Sequence, residues 1–492
     1  MVAAVTATGG LSLLGLSGVS GSASLSSGAP SYLGAPRTGR YMIGGNQAFV
    51  GSPTGIAAEA FINLSVFQNF NGLEQSMVSS YGKNFPQAIA AIQSAATTAG
   101  NVFCKQVPYH IMEVCSAPGS GGANSTLTVQ YSTVNSKNWF LRTTYPSGSI
   151  VQNPSPTDEC NSGNQCPSAS TTFGTMNYAQ WFAEYCYNLF HLGNGATLGE
   201  ATYPVACSSW AGDFNDNFFN ATRLAGDWGS NGTTLAAGNA TGNAYLQKGQ
   251  AQHIAQRRTL NTDLQIANCD WYASTGAVYN SAMLNILDGQ LCEFVLGNQF
   301  YSAETFFTSF STLVSQLLLS ASNLLNSSQI TMIGQTSPDQ TTRAWPSSQS
   351  SWTPEDWQGM RFGAALAALL DMYHCPGIGI NHQAELDSIL RADEYGGFSS
   401  GPGLNWLKTP IDSVATAIVP WQGSYAGGNA VLRRRWAEGT VYLFPYENTG
   451  PVTVTASGHR LATQGYGDPT VNTGAAFTSL TGQVRDAIFT LP

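Results

Sequence analysis

The chain has 492 residues, 19 Lys and Arg against 28 Asp and Glu, a formal net charge of −9 and only 10% charged residues. With one basic cluster, Arg433-Arg434-Arg435, it lacks the cationic footprint that nucleic-acid binding requires, and that cluster reads as a strand edge or a domain-interface anchor. A hydrophobic fraction of 43% supplies a large core, while Gly, Ser, Thr and Asn make up the polar surface, so one large domain with small additions is expected.

Residues 1–39 read as a Gly/Ser-rich N-terminal arm. No Lys or Arg precedes Arg37, so the cationic start of a secretory signal is missing, and Gly9, Gly10, Gly15, Gly18 and Gly21 break up any membrane-inserting helix. The expectation is an uncharged tether to other subunits of a larger particle, a virion for example, with an extracellular or virion-associated location.

Residues 40–420 alternate short apolar runs with amphipathic stretches, the pattern of parallel strands joined by crossover helices. Strands are expected at Tyr41–Ile43, Ile62–Phe67, Asn101–Tyr109, Trp139–Arg142, Trp210–Asn215, Gln290–Leu296, Ile330–Ile333 and Ile389–Asp393, and eight would close a barrel. Apolar residues at three- and four-residue spacing predict helices at Gln87–Thr98, Tyr178–Leu192, Leu246–Leu260, Ala303–Asn323 and Asp356–Tyr373, the second capped by Asn177 or Thr175. The stretches from Ser116 to Gly174 and from Gly226 to Asn243 are Ser/Gly/Asn-rich expansions of loops. Residues 421–492 change rhythm to short alternating strands at Val431–Trp436, Thr440–Pro445, Val452–Ala456 and Ala476–Leu480, a small antiparallel β domain.

None of the nine cysteines forms a Cys-x-x-Cys pair, so no metal site is expected; Cys160 and Cys166 bracket a loop that a disulfide would close. No nucleophile elbow or phosphate-binding loop is present, and no cofactor is expected. Two segments stand out, Gly212-Asp213-Phe214-Asn215-Asp216-Asn217 and Asp288-Gly289-Gln290-Leu291-Cys292-Glu293-Phe294. In each, an apolar run carries carboxylates whose desolvation is costly unless they are hydrogen-bonded or used.

The order of Asn138-Trp139-Phe140-Leu141-Arg142, Asp216-Asn217, Asp288-Gly289 with Glu293, Asp393-Glu394-Tyr395 and the tail from Arg434-Arg435-Trp436 through Gly439-Thr440-Val441-Tyr442-Leu443-Phe444-Pro445 to Arg485-Asp486 resembles glycoside hydrolases built as a TIM barrel followed by a small β-sandwich. Coverage runs from about Arg40 to the C-terminus. The resemblance implies an α/β fold, a (β/α)8 TIM barrel with a C-terminal antiparallel β-sandwich, and a site at the C-terminal ends of the strands. Asp216 and Glu293, 77 positions apart, would converge there, Asp216 as nucleophile or base and Glu293 as general acid, its proton affinity raised by Cys292, Phe294 and Val295. As alternatives, Asp216 would cap a turn and Glu293 would pair with Arg361. Asp213 and Asp288 read as capping or turn residues.

A polysaccharide or oligosaccharide substrate needs aromatic faces and hydroxyl-binding groups. Candidates are Trp139, Arg142, Asn217, Asn268 and Trp271, with Asp393 and Glu394 in reserve for the acid or for sugar hydroxyls. Trp210, Tyr272 and Trp406 extend the aromatic set, and Tyr109 and His110 the polar one, although His110 equally fits a packing role. The competing class is a non-catalytic carbohydrate-binding or decoration protein of a larger assembly that keeps the barrel.

Overall fold

Eight parallel strands recur along the chain and close on themselves. The computed structural model describes residues 34–41, 48–67, 73–121, 124–153, 156–200, 205–261, 263–269, 284–296, 309–325, 330–335, 351–376, 392–396, 404–463 and 467–492. The barrel strands are β1 (Arg37–Tyr41), β2 (Leu64–Phe67), β3 (Lys105–Ile111), β4 (Gly212–Asp216), β5 (Leu264–Asn268), β6 (Gly289–Leu296), β7 (Ile330–Gln335) and β8 (Tyr373–Pro376). β1 pairs with both β2 and β8, so the ring leaves no strand edge open.

Alternation along each strand decides what enters the barrel. Tyr41, Val66, Val107, Tyr109, Phe214, Ile266, Leu291, Met332 and Tyr373 share one buried apolar cluster inside it. The register sets Tyr109 beside Phe214, Phe214 beside Ile266 and Leu291 beside Met332. Two residues further on, the same inward face carries Asp216, Asn268 and Glu293 to the C-terminal rim.

The helices follow local signals. α1 (Phe85–Thr98) opens with Asn84 and Gln87 in a reciprocal capping box and buries Phe85, Ala88, Ile89, Ile92 and Ala96 at helical spacing. α2 (Tyr178–Cys186) is capped in the same way by Asn177 and Gln180, and its expected continuation to Leu192 is a π-helical turn, Tyr187–His191. α3 (Ala240–Leu260) starts six residues before Leu246 because Asn239 accepts hydrogen bonds from the amides of Thr241 and Gly242. Inside it, Gly249 lets the Ser162 backbone approach; a Cβ there would lie 1.8 Å from the Ser162 carbonyl oxygen. α4 (Phe310–Ser322) follows the Ser309 cap, and α5 (Pro354–Leu370) has a Thr353/Asp356 capping box.

Three strand expectations are corrected. Trp139–Arg142 is no barrel strand: Phe140 and Arg142 make only isolated bridges to Cys160 and Ile150 inside the first expanded loop. β5 was missing from the expected set because Leu264–Asn268 follows closely on α3 and carries two polar residues, Gln265 and Asn268, in Leu-Gln-Ile-Ala-Asn. The last strand is β8, which begins where the α5 periodicity was expected to end; of Ile389–Asp393, residues 389–391 lie outside the described residues, and Asp393 begins a 3-10 turn. The first strand also begins earlier than expected, at Arg37.

The C-terminal domain is a five-stranded antiparallel sheet of β9 (Leu432–Trp436), β10 (Gly439–Phe444), β11 (Val452–Arg460), β12 (Ala476–Gly482) and β13 (Asp486–Leu491), ordered β9-β10-β13-β11-β12. Leu432, Val441, Leu443, Ala487 and Phe489 join the core that wraps the barrel. Tyr442, Phe444, Val454, Leu480 and Ile488 form a second small core with Trp421. Buried Arg361 of α5 ties the two together, 2.9 Å from Asp486 and 3.3 Å from Asp468. Arg434 donates to the Ala368 and Leu369 carbonyls and to Asp371, and is the interface anchor of the basic cluster.

Candidate active site

Asp216 is the last residue of β4, and Asn217 turns the chain with a left-handed φ of 61°, a conformation Asn tolerates better than most residues. The Phe218 amide then donates to the Asn268 carbonyl at 3.0 Å, fastening this turn to the end of β5. Glu293 lies where β6 slips register against β7, beyond Cys292, and such a bulge re-aims a side chain. Its backbone passes so close to Gly334 that a Cβ there would lie 2.0 Å from the Glu293 carbonyl oxygen, which is why β7 carries glycine at this position.

One side-chain amide joins the two carboxylates. Asn268 Nδ2 donates to Asp216 Oδ1 at 2.9 Å and to Glu293 Oε2 at 2.7 Å. Tyr109 of β3 donates to Asp216 Oδ2. The Tyr41 ring of β1 stands 6.1 Å from that of Tyr109. Burial first, and then the negative charge of Asp216, pushes both phenols well above their ordinary range, with Glu293 adding to the effect, so both keep their protons and Tyr109 donates its own to Asp216. Five strands therefore contribute to one partly buried acidic centre at the barrel rim.

Cys292 belongs to the apolar cluster outside the barrel, together with Val295, so neither is the apolar wall expected to surround the Glu293 carboxyl; the pleat turns Cys292 the opposite way. Nor is Arg361 a Glu293 partner, since it is bound to the C-terminal sheet.

A second carboxyl pair stands behind Asp216. Glu113, just after β3, and Glu159, in the small antiparallel pair of Val114–Ser116 with Thr157–Glu159, are 4% and 2% exposed. Burial, then the charge of Glu159, pushes Glu113 well above the usual carboxylate range, Asp216 adding to the rise and Arg223 and a hydrogen bond with Asn217 opposing it. Glu159 is pushed up to about 8 by burial, with Cys160 adding and the Asn153 hydrogen bond and Arg223 opposing. Neither residue was among the candidates, although Glu113 carries the signal that marked Asp216, a carboxylate ending the apolar run Tyr109-His110-Ile111-Met112.

The other candidates separate by place. Asn217 adjoins the pair and faces Glu113. Arg142 is committed to its own loop, donating to Asn138 Oδ1 at 2.6 Å and the Gly148 carbonyl at 2.8 Å. Trp139 is fully buried, its indole N–H on the Pro167 carbonyl and its ring packed against Tyr178 and Trp181, so its faces are closed to a sugar. Trp210 and Trp406 are buried as well. Trp271 and Tyr272 lie outside the described residues. Asp393 and Glu394 are held by Asn472 of the C-terminal domain, at 3.0 Å each, and so serve the domain contact rather than the rim.

Asp213 is fully buried on the outer face of β4, bonded to Arg257, His110, His191 and Gln265. Burial by itself would raise its carboxyl, but Arg257 and then the two histidines hold it well below the usual range. Asp288 pairs with Arg258 at 2.9 Å and caps the Gln265 amide. All nine cysteines are buried free thiols, and the nearest sulfur to Cys160 is Cys115, at 3.6 Å, so the expected Cys160–Cys166 disulfide is absent. Among the described residues no three His, Cys, Asp or Glu side chains group as metal ligands.

A closed eight-stranded parallel barrel with an antiparallel sheet behind it and paired carboxylates at its C-terminal rim defines the class of protein by architecture. No protein-family model matches the chain, and no curated protein does. The solved structures it is similar to include a family 39 glycoside hydrolase from Bacteroides cellulosilyticus, at 11% identity and a TM-score of 0.45, covering 93% of this chain and 81% of that one. A GH30 endoxylanase from Clostridium papyrosolvens matches at 10% identity and a TM-score of 0.38 over 95% of this chain and 98% of that one. The glycoside hydrolase domain of PelA from Pseudomonas aeruginosa matches at 7% identity and a TM-score of 0.27, over 52% of this chain and 67% of that one.

Proposed function

We infer that this protein is a glycoside hydrolase that cleaves a polysaccharide with retention of configuration. The observation that carries the reading is the shared amide: Asp216 Oδ1 and Glu293 Oε2 both bond to Asn268 Nδ2, which bounds their separation at about 5.6 Å. Retaining enzymes hold their carboxyl groups about 5 to 5.5 Å apart, whereas inverting ones need about 6.5 to 9.5 Å to admit a water molecule.

Asp216 takes two hydrogen bonds, from Tyr109 and Asn268, a donor set suited to a carboxylate that attacks rather than one that gives up a proton. In this reading Asp216 forms a bond to the anomeric carbon as the glycosidic C–O bond breaks, and Glu293 passes its proton to the departing oxygen. Water then gives a proton back to Glu293 while its oxygen displaces Asp216, which restores both groups. An extracellular or particle-borne setting goes with the proposal on the uncharged N-terminal stretch alone, and cosedimentation of the full chain with purified particles tests it.

Reducing-end release from a panel of bacterial and plant polysaccharides tests cleavage, and the anomer formed first, read by NMR, tests retention. Binding to a polymer without cleavage of any would replace the enzyme by a recognition scaffold on the same barrel.

A further inference from the structure

We propose that Cys115 and Cys160 are the two halves of a disulfide that clasps the feet of the expanded loop after β3, closed by a small-molecule disulfide while the loop is open and sealed once the loop packs. Both thiols are free in the structure, and their sulfurs stand 3.6 Å apart, in van der Waals contact. A disulfide bond is about 2.05 Å long, so closing it brings the two sulfurs about 1.5 Å nearer.

Backbone pairing brings these two residues together. Val114–Ser116 and Thr157–Glu159 run antiparallel, with Cys115 opposite Asp158 and Val114 opposite Glu159. The pairing extends one residue further, because the Cys160 amide donates to the Glu113 carbonyl at 2.6 Å. Cys160 therefore lies two residues along from the partner of Cys115, on the same face of the pair. Asn124 holds the first foot by donating to the Ile111 and Val114 carbonyls, at 3.1 and 3.2 Å. The second foot is held by the bridge between Phe140 and Cys160 and by the Asn161 amide, which donates to the Trp139 carbonyl at 2.8 Å. Cys166, the partner that sequence spacing suggested, instead ends a turn in which its amide donates to the Gly163 carbonyl at 3.0 Å.

Both residues are fully buried, in a cluster with Met112, Trp139, Phe140, Tyr178 and Trp181. The thiolate is the nucleophile of thiol–disulfide exchange, and burial pushes the Cys160 thiol well up, the Cys115 contact adding to the rise. The folded pair is therefore slow to react, and exchange belongs to the open loop. One thiol loses its proton and its sulfur attacks the oxidant, forming a mixed disulfide and releasing one small thiol. The second, deprotonated in turn, attacks the protein sulfur of that mixed disulfide and releases the other. Two protons and two electrons pass from the pair to the oxidant, which becomes two thiols. The bond joins residues 45 positions apart, so it removes freedom from the unfolded chain. It also fixes the base of the loop just beyond β3, the strand whose Tyr109 donates to Asp216.

The test uses the full chain, held with oxidised glutathione at a denaturant concentration just below its unfolding transition, then unfolded for thiol counting and mass measurement. Without oxidant nine thiols are expected, and after it seven, with the mass lower by two hydrogens and dithiothreitol restoring nine. Protease fragments carrying Cys115 and Cys160 are expected to run joined until reduced. Cys115→Ser and Cys160→Ser are each expected to keep all eight remaining thiols, whereas Cys166→Ser still loses two. A wild type that stays at nine, that gains glutathione mass instead of losing two hydrogens, or that joins other fragments overturns the proposal, and so does a bond that still closes in Cys115→Ser. The wild-type mass and fragments decide the matter even where a serine unsettles the core.

Melting reads the clasp independently of chemistry at the rim. Oxidised wild type is expected to melt about 4 °C or more above the reduced form. That difference is expected to vanish in Cys160→Ser and to persist in Cys166→Ser; a closed bond with no change in melting overturns the clasp. Because no polymer enters either measurement, a protein that cleaves nothing leaves the result unaltered.

Discussion

The two faces of β4 carry the same residue type to opposite ends. Asp213, on the outer face, is sealed under α3 and the π-helical turn, where Arg257, His110, His191 and Gln265 satisfy it. Asp216, three residues on and on the inner face, meets one phenol and one amide and stays partly open at the rim. A buried carboxylate paired with an arginine and closed in by further donors supports structure, while one held by two neutral donors at a barrel mouth is left with capacity for chemistry.

The sharpest way to break that comparison is to neutralise each carboxylate in turn. Asp216→Asn and Glu293→Gln are expected to lower turnover by at least about 10²-fold at an unchanged melting temperature. Asp213→Ala, by contrast, leaves buried Arg257 uncompensated and is expected to cost about 3–5 kcal/mol in denaturant unfolding, enough to mark it as structural. Equal loss of turnover in properly folded Asp213→Ala would erase the distinction.

Asn268→Ala comes next. Removing the shared donor frees both carboxylates, and a fall in kcat of about 10-fold or more is expected. Unchanged kinetics would mean that the amide does not set their spacing.

The outer face also predicts how acid acts on the fold. His253 beside Asn215 and His374 beside Gln335 are buried and held down to about 3, His253 by burial and then by Arg257, and His374 by burial alone. The unfolded chain protonates each near 6.5, so the stability present above 6.5 is lost as the pH falls from there toward 3. Melting scans between about pH 7 and 4 should show this decline, and His374→Gln should flatten it; an unchanged slope would assign the acid sensitivity elsewhere.

The smallest effect expected is at the thiols. With all nine cysteines free, titration of the unfolded chain under non-reducing conditions should count nine thiols, and Cys166→Ser should leave the melting temperature within about 2 °C. Seven thiols would show that one pair had closed.

Much of the fold was legible locally. Asn84 with Gln87, Asn177 with Gln180 and Thr353 with Asp356 announce helix starts within a few residues, because a cap and the amides it satisfies are neighbours in sequence. Period-two apolar runs disclosed β2, β3, β4, β6 and β7 and four of the five C-terminal strands. β13, Asp486–Leu491, was missed although Ala-Ile-Phe-Thr-Leu is a strand-like run, and β5 was hidden by its polar residues, whose partners come from the neighbouring strands β4 and β6.

The site was legible to the extent that carboxylates following apolar runs are costly, which singled out Asp216 and Glu293 from residue types alone. The same rule passed over Glu113 and could not separate Asp213 from Asp216, since a carboxylate's use depends on what the folded chain sets against it. Sequence by itself determined the parallel-strand rhythm, the helix caps and the two acidic segments, because those signals act over a few residues. Only tertiary structure decided that Trp139 is core, that Asp393 and Glu394 belong to the domain contact and that Asn268 spans the two carboxylates. Those outcomes depend on strand order and register, which bring together groups tens of residues apart.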